Sequence, residues 1–123
     1  MNTILAIDDQ KDNLIIIKAV IKNGLPKCKL ITALSGEEAI KLAKEELPDT
    51  ILLDIIMPEM DGYEATKQIR EFNKEVIIIA QTANALTGDR EKSIAAGCND
   101  YITKPIKKDE LFRKIEKLIE SGE

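Results

Sequence analysis

The sequence feature that most constrains the fold is a short apolar run that ends in an acid. Ile51-Leu52-Leu53 follows Pro48-Asp49 and stops at Asp54. A run of this length between turn residues predicts a strand buried on both faces, as strands are in a parallel sheet. A carboxylate at the carboxyl end of such a strand lies where open α/β sheets bind their ligands. Asp54 is therefore the first candidate functional residue.

Other short apolar runs resemble this one and are separated by segments of helical periodicity. The predicted strands cover residues 4–7, 28–32, 51–54, 76–80 and 101–103. Lys29 interrupts the second strand, which should lie near an edge, whereas the continuous, β-branched fourth strand should be central. Gln81-Thr82-Ala83-Asn84 is predicted as the exit loop of the fourth strand.

Capping signals delimit the helices. The first helix follows Asp12 and ends at Asn23-Gly24, Ser35 to Glu38 fits a capping box, and Asp61 is the predicted N-cap of the third helix. Two more helices are predicted from about residue 86 to 96 and from about residue 108. Apolar spacing predicts several sheet-facing residues. They include Ile16, Ile17, Val20, Ile21, Leu47 and Phe72.

Strands that alternate with helices indicate an α/β chain with a parallel sheet covered on both faces. The fold class is a single-domain, flavodoxin-like (βα)5 doubly wound sheet. Its strand order, 2-1-3-4-5, is taken from known sheets of this kind. The chain has 123 residues, and we predict one domain over residues 1–123.

Composition excludes several classes of function. A net charge of −4 disfavours a dedicated binder of nucleic acid or anionic membranes, and the absence of histidine excludes mechanisms that need one within the chain. Cys28 and Cys98 lack metal-ligand spacing and are predicted to be buried thiols in a reducing compartment. No segment resembles a signal peptide or a membrane span, so a cytoplasmic location is expected.

Polar residues follow four of the predicted strands. Asp8 and Asp9, Asp54, Thr82 and Lys104 should converge, because the carboxyl ends of parallel strands meet at one edge of a sheet. Three carboxylates about 4 Å apart repel by about 4 kcal/mol per pair at an effective dielectric constant of 20. With oxygen ligands only, the fitting cation is Mg²⁺. The cation would neutralise Asp54 against an incoming phosphoryl group, with Lys104 and the Thr82 hydroxyl as further contacts.

These residues resemble the response-regulator receiver domain over essentially the whole chain. The matching segments, in order, are Asp8-Asp9, Leu52 to Gly62, Thr82 to Leu86, Ala96 to Tyr101, and Lys104-Pro105. Gln81 departs from the family's pattern, in which many members carry an apolar residue at that position, and nothing in the sequence explains the departure.

The resemblance implies a role for each site residue. Asp54 is the phosphoryl acceptor, and Asp8, Asp9, Asp54 and the Ile56 carbonyl hold Mg²⁺. Thr82, Ala83 and Lys104 contact the phosphoryl oxygens. Thr82, Tyr101 and Pro105 form the switch, with a cis peptide between Lys104 and Pro105. Ile56 and Asn84 occupy positions that tune the lifetime of the phosphoryl group, and the bulky Ile56 suggests slow self-dephosphorylation.

The implied function is that of a signalling switch that catalyses its own phosphorylation rather than an enzyme with a separate substrate. The expected partner is a histidine kinase or histidine phosphotransfer domain, with a possible downstream phosphotransfer or output partner. The chain is either a stand-alone receiver or part of a hybrid sensor kinase. Three alternatives remain open: a phosphohydrolase with an aspartyl nucleophile, a flavodoxin-like cofactor binder, and a degenerate receiver that only binds.

Overall fold

The computed structural model describes residues 3–55, 60–82, 89–103 and 107–121. Strands and helices alternate along the chain. In order they are β1 (Thr3–Ile7), α1 (Lys11–Gly24), β2 (Lys29–Ala33), α2 (Gly36–Glu46), β3 (Thr50–Asp54), α3 (Gly62–Phe72), β4 (Ile77–Thr82), α4 (Asp89–Ala96), β5 (Asp100–Thr103) and α5 (Lys108–Ser121).

The five strands form one parallel sheet in the order β2-β1-β3-β4-β5. The predicted α/β class and the predicted strand order are therefore confirmed. β2 lies at an edge and β4 inside the sheet, as Lys29 and the β-branched run predict. β3 is buried along its whole length because the sheet is covered on both faces.

Alternate residues of the strands supply two separate cores. On one face of the sheet, here called the α1/α5 face, Leu52 and Ile79 pack with Ile17 of α1 and Leu111 of α5. The opposite face is called the α2/α3 face. There Leu53, Ala80 and other strand residues pack with helix residues that include Ala39 and Ile69.

Local capping forms as the sequence predicts. Ser35 Oγ accepts a hydrogen bond from Glu38 N at 3.2 Å, and Asp61 Oδ1 accepts one from Glu64 N at 2.9 Å. In a standard capping box the Glu38 side chain would accept from the backbone N–H of the N-cap residue, Ser35. Here Glu38 Oε1 accepts from Leu34 N, one residue earlier, at 2.8 Å. These caps fix where α2 and α3 begin.

Three predictions of sheet-facing residues are wrong. Ile16 is 54% exposed, because Leu14, Ile17 and Ile21 form the buried stripe of α1 instead. Leu47 is 68% exposed, since a left-handed backbone with φ of 47° at the end of α2 turns it away from the helix. Phe72 is 39% exposed and lies under Lys44, whose Nζ is 5.2 Å from the ring centroid.

Candidate functional site

The carboxyl ends of β1 and β3 bring three acids together. The last paired residues of these strands are Ile7 and Leu53, so Asp8 and Asp54 follow side by side. Asp8 is fully buried and Asp54 is only 3% exposed, whereas Asp9 is more accessible. One carboxylate oxygen from each of the three residues lies within 4.8 Å of the other two. The structure thus places these predicted residues in one cluster.

Backbone hydrogen bonds hold the cluster in place. Asp8 N donates to Ala33 O at 3.2 Å, which closes the last pair of β1 with β2, Ile7 with Ala33. Asp8 Oδ1 accepts from Gln10 N at 3.0 Å, and Ile55 N donates to Gln81 O at 3.1 Å. The backbone at the two buried acids, Asp8 and Asp54, is therefore held in place by hydrogen bonds to the neighbouring strands.

The backbone of Gly62 lies close to the backbone of Asp54 and Ile55. Gly62 N donates to Ile55 O at 2.9 Å, which draws the start of α3 against the end of β3. A Cβ atom at Gly62 would collide with the Asp54 carbonyl oxygen and lie 2.8 Å from Ile55 Cα. Only glycine fits this position, so α3 can begin directly beside the candidate acceptor.

The cluster fits a divalent cation. Its three side chains offer only carboxylate oxygens, the hard ligands that Mg²⁺ and Ca²⁺ prefer. Like charges at this separation, with two of the acids buried, repel strongly at low dielectric constant. A bound cation would relieve that repulsion, and Asp8, Asp9 and Asp54 are the described residues that could hold it.

Thr82 lies on β4 rather than in the predicted exit loop. The strand continues to Thr82 because Gln81 and Thr82 pair with Ile102 and Thr103 of β5. Thr82 is 1% exposed, and its Oγ1 has no hydrogen-bond partner within the described part of the chain. A buried hydroxyl in this state is available to a ligand at the end of the sheet.

Tyr101 lies on β5, half-buried against the α2/α3 face. It pairs with Ala80, two residues before Thr82, so Tyr101 and Thr82 belong to the same face of the sheet. Lys114 of α5 holds this region: its Nζ lies 5.4 Å from the Tyr101 ring centroid and 3.1 Å from Asp100 Oδ1. The predicted switch pair therefore shares one face, and α5 contacts Tyr101 through Lys114.

The remaining predicted residues lie outside the described residues. They are Ile56, Ala83, Asn84, Lys104 and Pro105.

Sequence reasoning took Gly62 only as a turn residue of the loop after Asp54 and gave no role to Gln81, although both shape this site. Gly62 could have been found from its position one residue after the cap Asp61, at the start of a helix that follows the Asp54 loop. Gln81 carried a signal too, since it is a polar residue after the apolar run Ile77 to Ala80. It pairs with Asp54 and is 1% exposed.

Comparisons with known proteins agree with this geometry. The family model described as the response regulator receiver domain matches residues 4–116. The signal transduction histidine-protein kinase BarA of Escherichia coli (strain K12) is 38% identical over 111 residues. That match covers 89% of this chain but only 12% of BarA, so the chain spans about an eighth of that kinase.

Two solved structures are similar over nearly the whole chain. The receiver domain of the Pseudomonas aeruginosa PAO1 sensor histidine kinase PA1611, with magnesium in its active site cleft, has a TM-score of 0.87 and 38% identity. It covers 96% of this chain and 97% of its own. A co-crystal structure of Saccharomyces cerevisiae Ypd1 with the receiver domain of Ssk1 gives 0.88 and 32% identity, with 95% and 88% covered.

The sheet order, the acid cluster and the family match over residues 4–116 all lead to one assignment. The chain belongs to the response regulator receiver domain family.

Proposed function

We propose that the chain accepts a phosphoryl group on Asp54 from a phosphohistidine of a histidine kinase or histidine phosphotransfer partner. The observation that carries the proposal is the position of Asp54. Its buried carboxylate ends β3, and one of its oxygens lies within 4.8 Å of ligand atoms of Asp8 and Asp9. The phosphotransfer protein Ypd1, bound to the Ssk1 receiver domain in a similar structure, supports the class of partner.

The transfer balances as a displacement at phosphorus. A carboxylate oxygen of Asp54 attacks the phosphorus atom, and an O–P bond forms as the P–N bond to the donor imidazole breaks. The imidazole leaves with the electron pair of that bond and takes up a proton. The product is an acyl phosphate on Asp54, and no further reactant is needed.

Asp8, Asp9 and Asp54, with the Ile56 carbonyl, would hold Mg²⁺. When bound, this ion supplies positive charge that offsets the acids and the transferred phosphoryl group. The magnesium in the PA1611 receiver domain supports this choice of ion. The Thr82 hydroxyl, unpartnered among the described residues, is an available donor to a phosphoryl oxygen. Lys104 and the backbone of Ala83 are the other proposed contacts.

We assign the response to Thr82, Tyr101 and Pro105, which would pass the change at Asp54 to the surface. Because Thr82 and Tyr101 share a face of the sheet, movement of one alters the space open to the other. On this proposal the domain is a switch that catalyses its own phosphorylation and slow dephosphorylation. A cytoplasmic location is proposed as well, supported by two free cysteines, Cys28 and Cys98.

Mass spectrometry after incubation with Mg²⁺ and phosphoramidate tests the acceptor. The wild-type protein should gain the mass of one phosphoryl group, and Asp54→Asn should gain none. Asp49→Asn is the matched control, because Asp49 lies at the opposite end of β3 and binds Thr3 N through Oδ2. An adduct that persists in Asp54→Asn would overturn the assignment of the acceptor.

A further inference from the structure

A row of side chains crosses the sheet beside the acid cluster. Asp8 and Asp54 stand next to each other at the ends of β1 and β3, Asp54 pairs with Gln81 of β4, and Gln81 pairs with Ile102 of β5. Paired residues of a parallel sheet point to the same face, so all four belong to the α1/α5 face. Gln81 is the third polar member of a row whose first two members are the buried acids.

The side-chain amide of Gln81 is buried without hydrogen bonds to the described residues. The residue is 1% exposed, and neither Nε2 nor Oε1 has a hydrogen-bond partner among the residues that the structure describes. A buried amide without partners costs free energy that an apolar side chain of similar size would avoid. The two preceding residues on this face, Ile77 and Ile79, are apolar, so the sheet accommodates apolar residues here.

The neighbouring site changes its hydrogen-bonding capacity when it is phosphorylated. An acyl phosphate on Asp54 adds charge and acceptor oxygens to a row that already holds two acids. An amide N–H next to such a group forms a charge-assisted hydrogen bond, which is stronger than a neutral one. The side chain of Gln81 adds this donor without adding negative charge.

We propose that Gln81 binds the phosphoryl group carried by Asp54, with Nε2 donating a hydrogen bond to a phosphoryl oxygen. The inference rests on the proposed function and adds a binding residue to it. The amide has no partner among the described residues of the unmodified domain, and on this proposal it gains one in the phosphorylated domain. Gln81 would therefore shift the balance between the two states toward the phosphorylated one, because that state adds a hydrogen bond which no described residue supplies in the other.

Beryllofluoride binding in the presence of Mg²⁺ tests the proposal, since this ion mimics a phosphoryl group on a carboxylate. Gln81→Leu removes the donor at similar volume and should weaken beryllofluoride binding about tenfold, or about 1.4 kcal/mol. The same variant should unfold at higher urea than wild type without beryllofluoride, because it buries no unsatisfied amide. A residue with a purely structural role would not show this opposite pair of effects.

Two further variants sharpen the test. Gln81→Met, which keeps length and flexibility without a donor, should weaken binding as Gln81→Leu does and replaces that variant if it does not fold. Ser93→Ala is the matched control, because Ser93 Oγ is also buried and unpartnered among the described residues but lies on α4, outside the row. Its beryllofluoride affinity should stay at the wild-type value.

The outcomes separate this inference from the proposed function. Unchanged or tighter beryllofluoride binding in the Gln81 variants overturns the role of Gln81, while phosphorylation of Asp54 in the wild type leaves the proposed function intact. If the wild-type protein neither binds beryllofluoride nor takes up a phosphoryl group, both fail together.

Discussion

At the scale of single residues, Asp54 depends on a neighbour that contributes no side chain. Gly62 begins α3 against the backbone of Asp54 and Ile55, with Gly62 N bonded to Ile55 O at 2.9 Å. Gly62→Ala would force the start of α3 away from β3, because the new Cβ meets backbone that cannot rotate aside. We expect a loss of about 3 kcal/mol in the free energy of unfolding. Urea denaturation followed by circular dichroism measures it.

Gly36→Ala is the matched control, since Gly36 is buried at the first position of α2. A Cβ there would lie 3.0, 3.2 and 3.3 Å from Met60 Sδ, Cγ and Cβ, which are side-chain rather than backbone atoms. Met60 can move aside, so the loss should stay below about 1 kcal/mol. Equal losses in the two variants would mean that the backbone near Asp54 yields as readily as a methionine side chain.

The acids of the site could be located from the sequence, whereas the state of its other polar groups could not. Asp8 and Asp54 each end an apolar run, and parallel topology alone brings such strand ends together. The burial and hydrogen bonding of the Gln81 and Thr82 side chains depend on strand pairing. Gln81 pairs with Asp54 and Thr82 with Thr103, on strands that are distant in the sequence. The local sequence does not indicate that pairing, so both residues are predicted to lie in the exit loop and Gln81 is given no role in the site.

At the scale of elements, one arginine of α3 joins this helix to the β4–β5 side of the sheet. Arg70 donates to the carbonyls of Gly97, Asn73 and Val76 at 2.8, 3.2 and 2.7 Å. It also donates to Asn99 Oδ1 at 2.8 Å, and Asn99 Oδ1 accepts from Ile78 N as well. Arg70 thus fixes the turn that leads from α4 into β5.

Arg70→Ala should cost about 3 kcal/mol of unfolding free energy, because three part-buried carbonyls and the more exposed Asn99 Oδ1 lose a charged donor. Arg70→Lys should fall between this variant and wild type, since an ammonium group cannot reach all four acceptors. Lys29→Ala is the control, because Lys29 makes an exposed ion pair with Glu46 at 3.3 Å and should change stability by less than about 0.5 kcal/mol. Thermal unfolding gives all three values, and a loss for Arg70→Ala as small as that for Lys29→Ala would contradict the role of Arg70.

The positions of strands and helices are predicted more accurately than the burial of the side chains at the helix ends. Strands and helices follow from apolar runs and caps that lie within a few residues of each other. The orientation of Phe72 and Leu47 depends on the last turn of a helix, where a positive φ or a neighbour such as Lys44 decides whether a side chain points inward. Periodicity carries no information about either.

At the scale of the whole molecule, the sheet gathers negative charge at one edge. The repulsion among Asp8, Asp9 and Asp54 is present in the folded chain and largely absent in the unfolded one, where the strands separate. The stability of the entire domain is therefore coupled to whatever neutralises this edge.

No helix in the part of the chain that the structure describes is long and apolar enough to cross a membrane.

This coupling predicts that Mg²⁺ stabilises the folded domain. Binding to the native state alone raises the unfolding free energy by about 2.7 kcal/mol when the ion is present at about 100 times its dissociation constant. Asp8→Asn keeps an oxygen that can accept from Gln10 N but removes one charge. It should be more stable than wild type in EDTA and gain much less from Mg²⁺.

Glu71→Gln provides the control, because it removes one charge from an exposed position on α3. Its response to Mg²⁺ should match that of the wild type, and NaCl of equal ionic strength should give neither protein the stabilisation that Mg²⁺ gives. Melting curves of the three proteins in EDTA, Mg²⁺ and NaCl measure these effects. If Asp8→Asn keeps the full wild-type gain from Mg²⁺, then the ion stabilises the fold from elsewhere and the charged edge of the sheet is not its site.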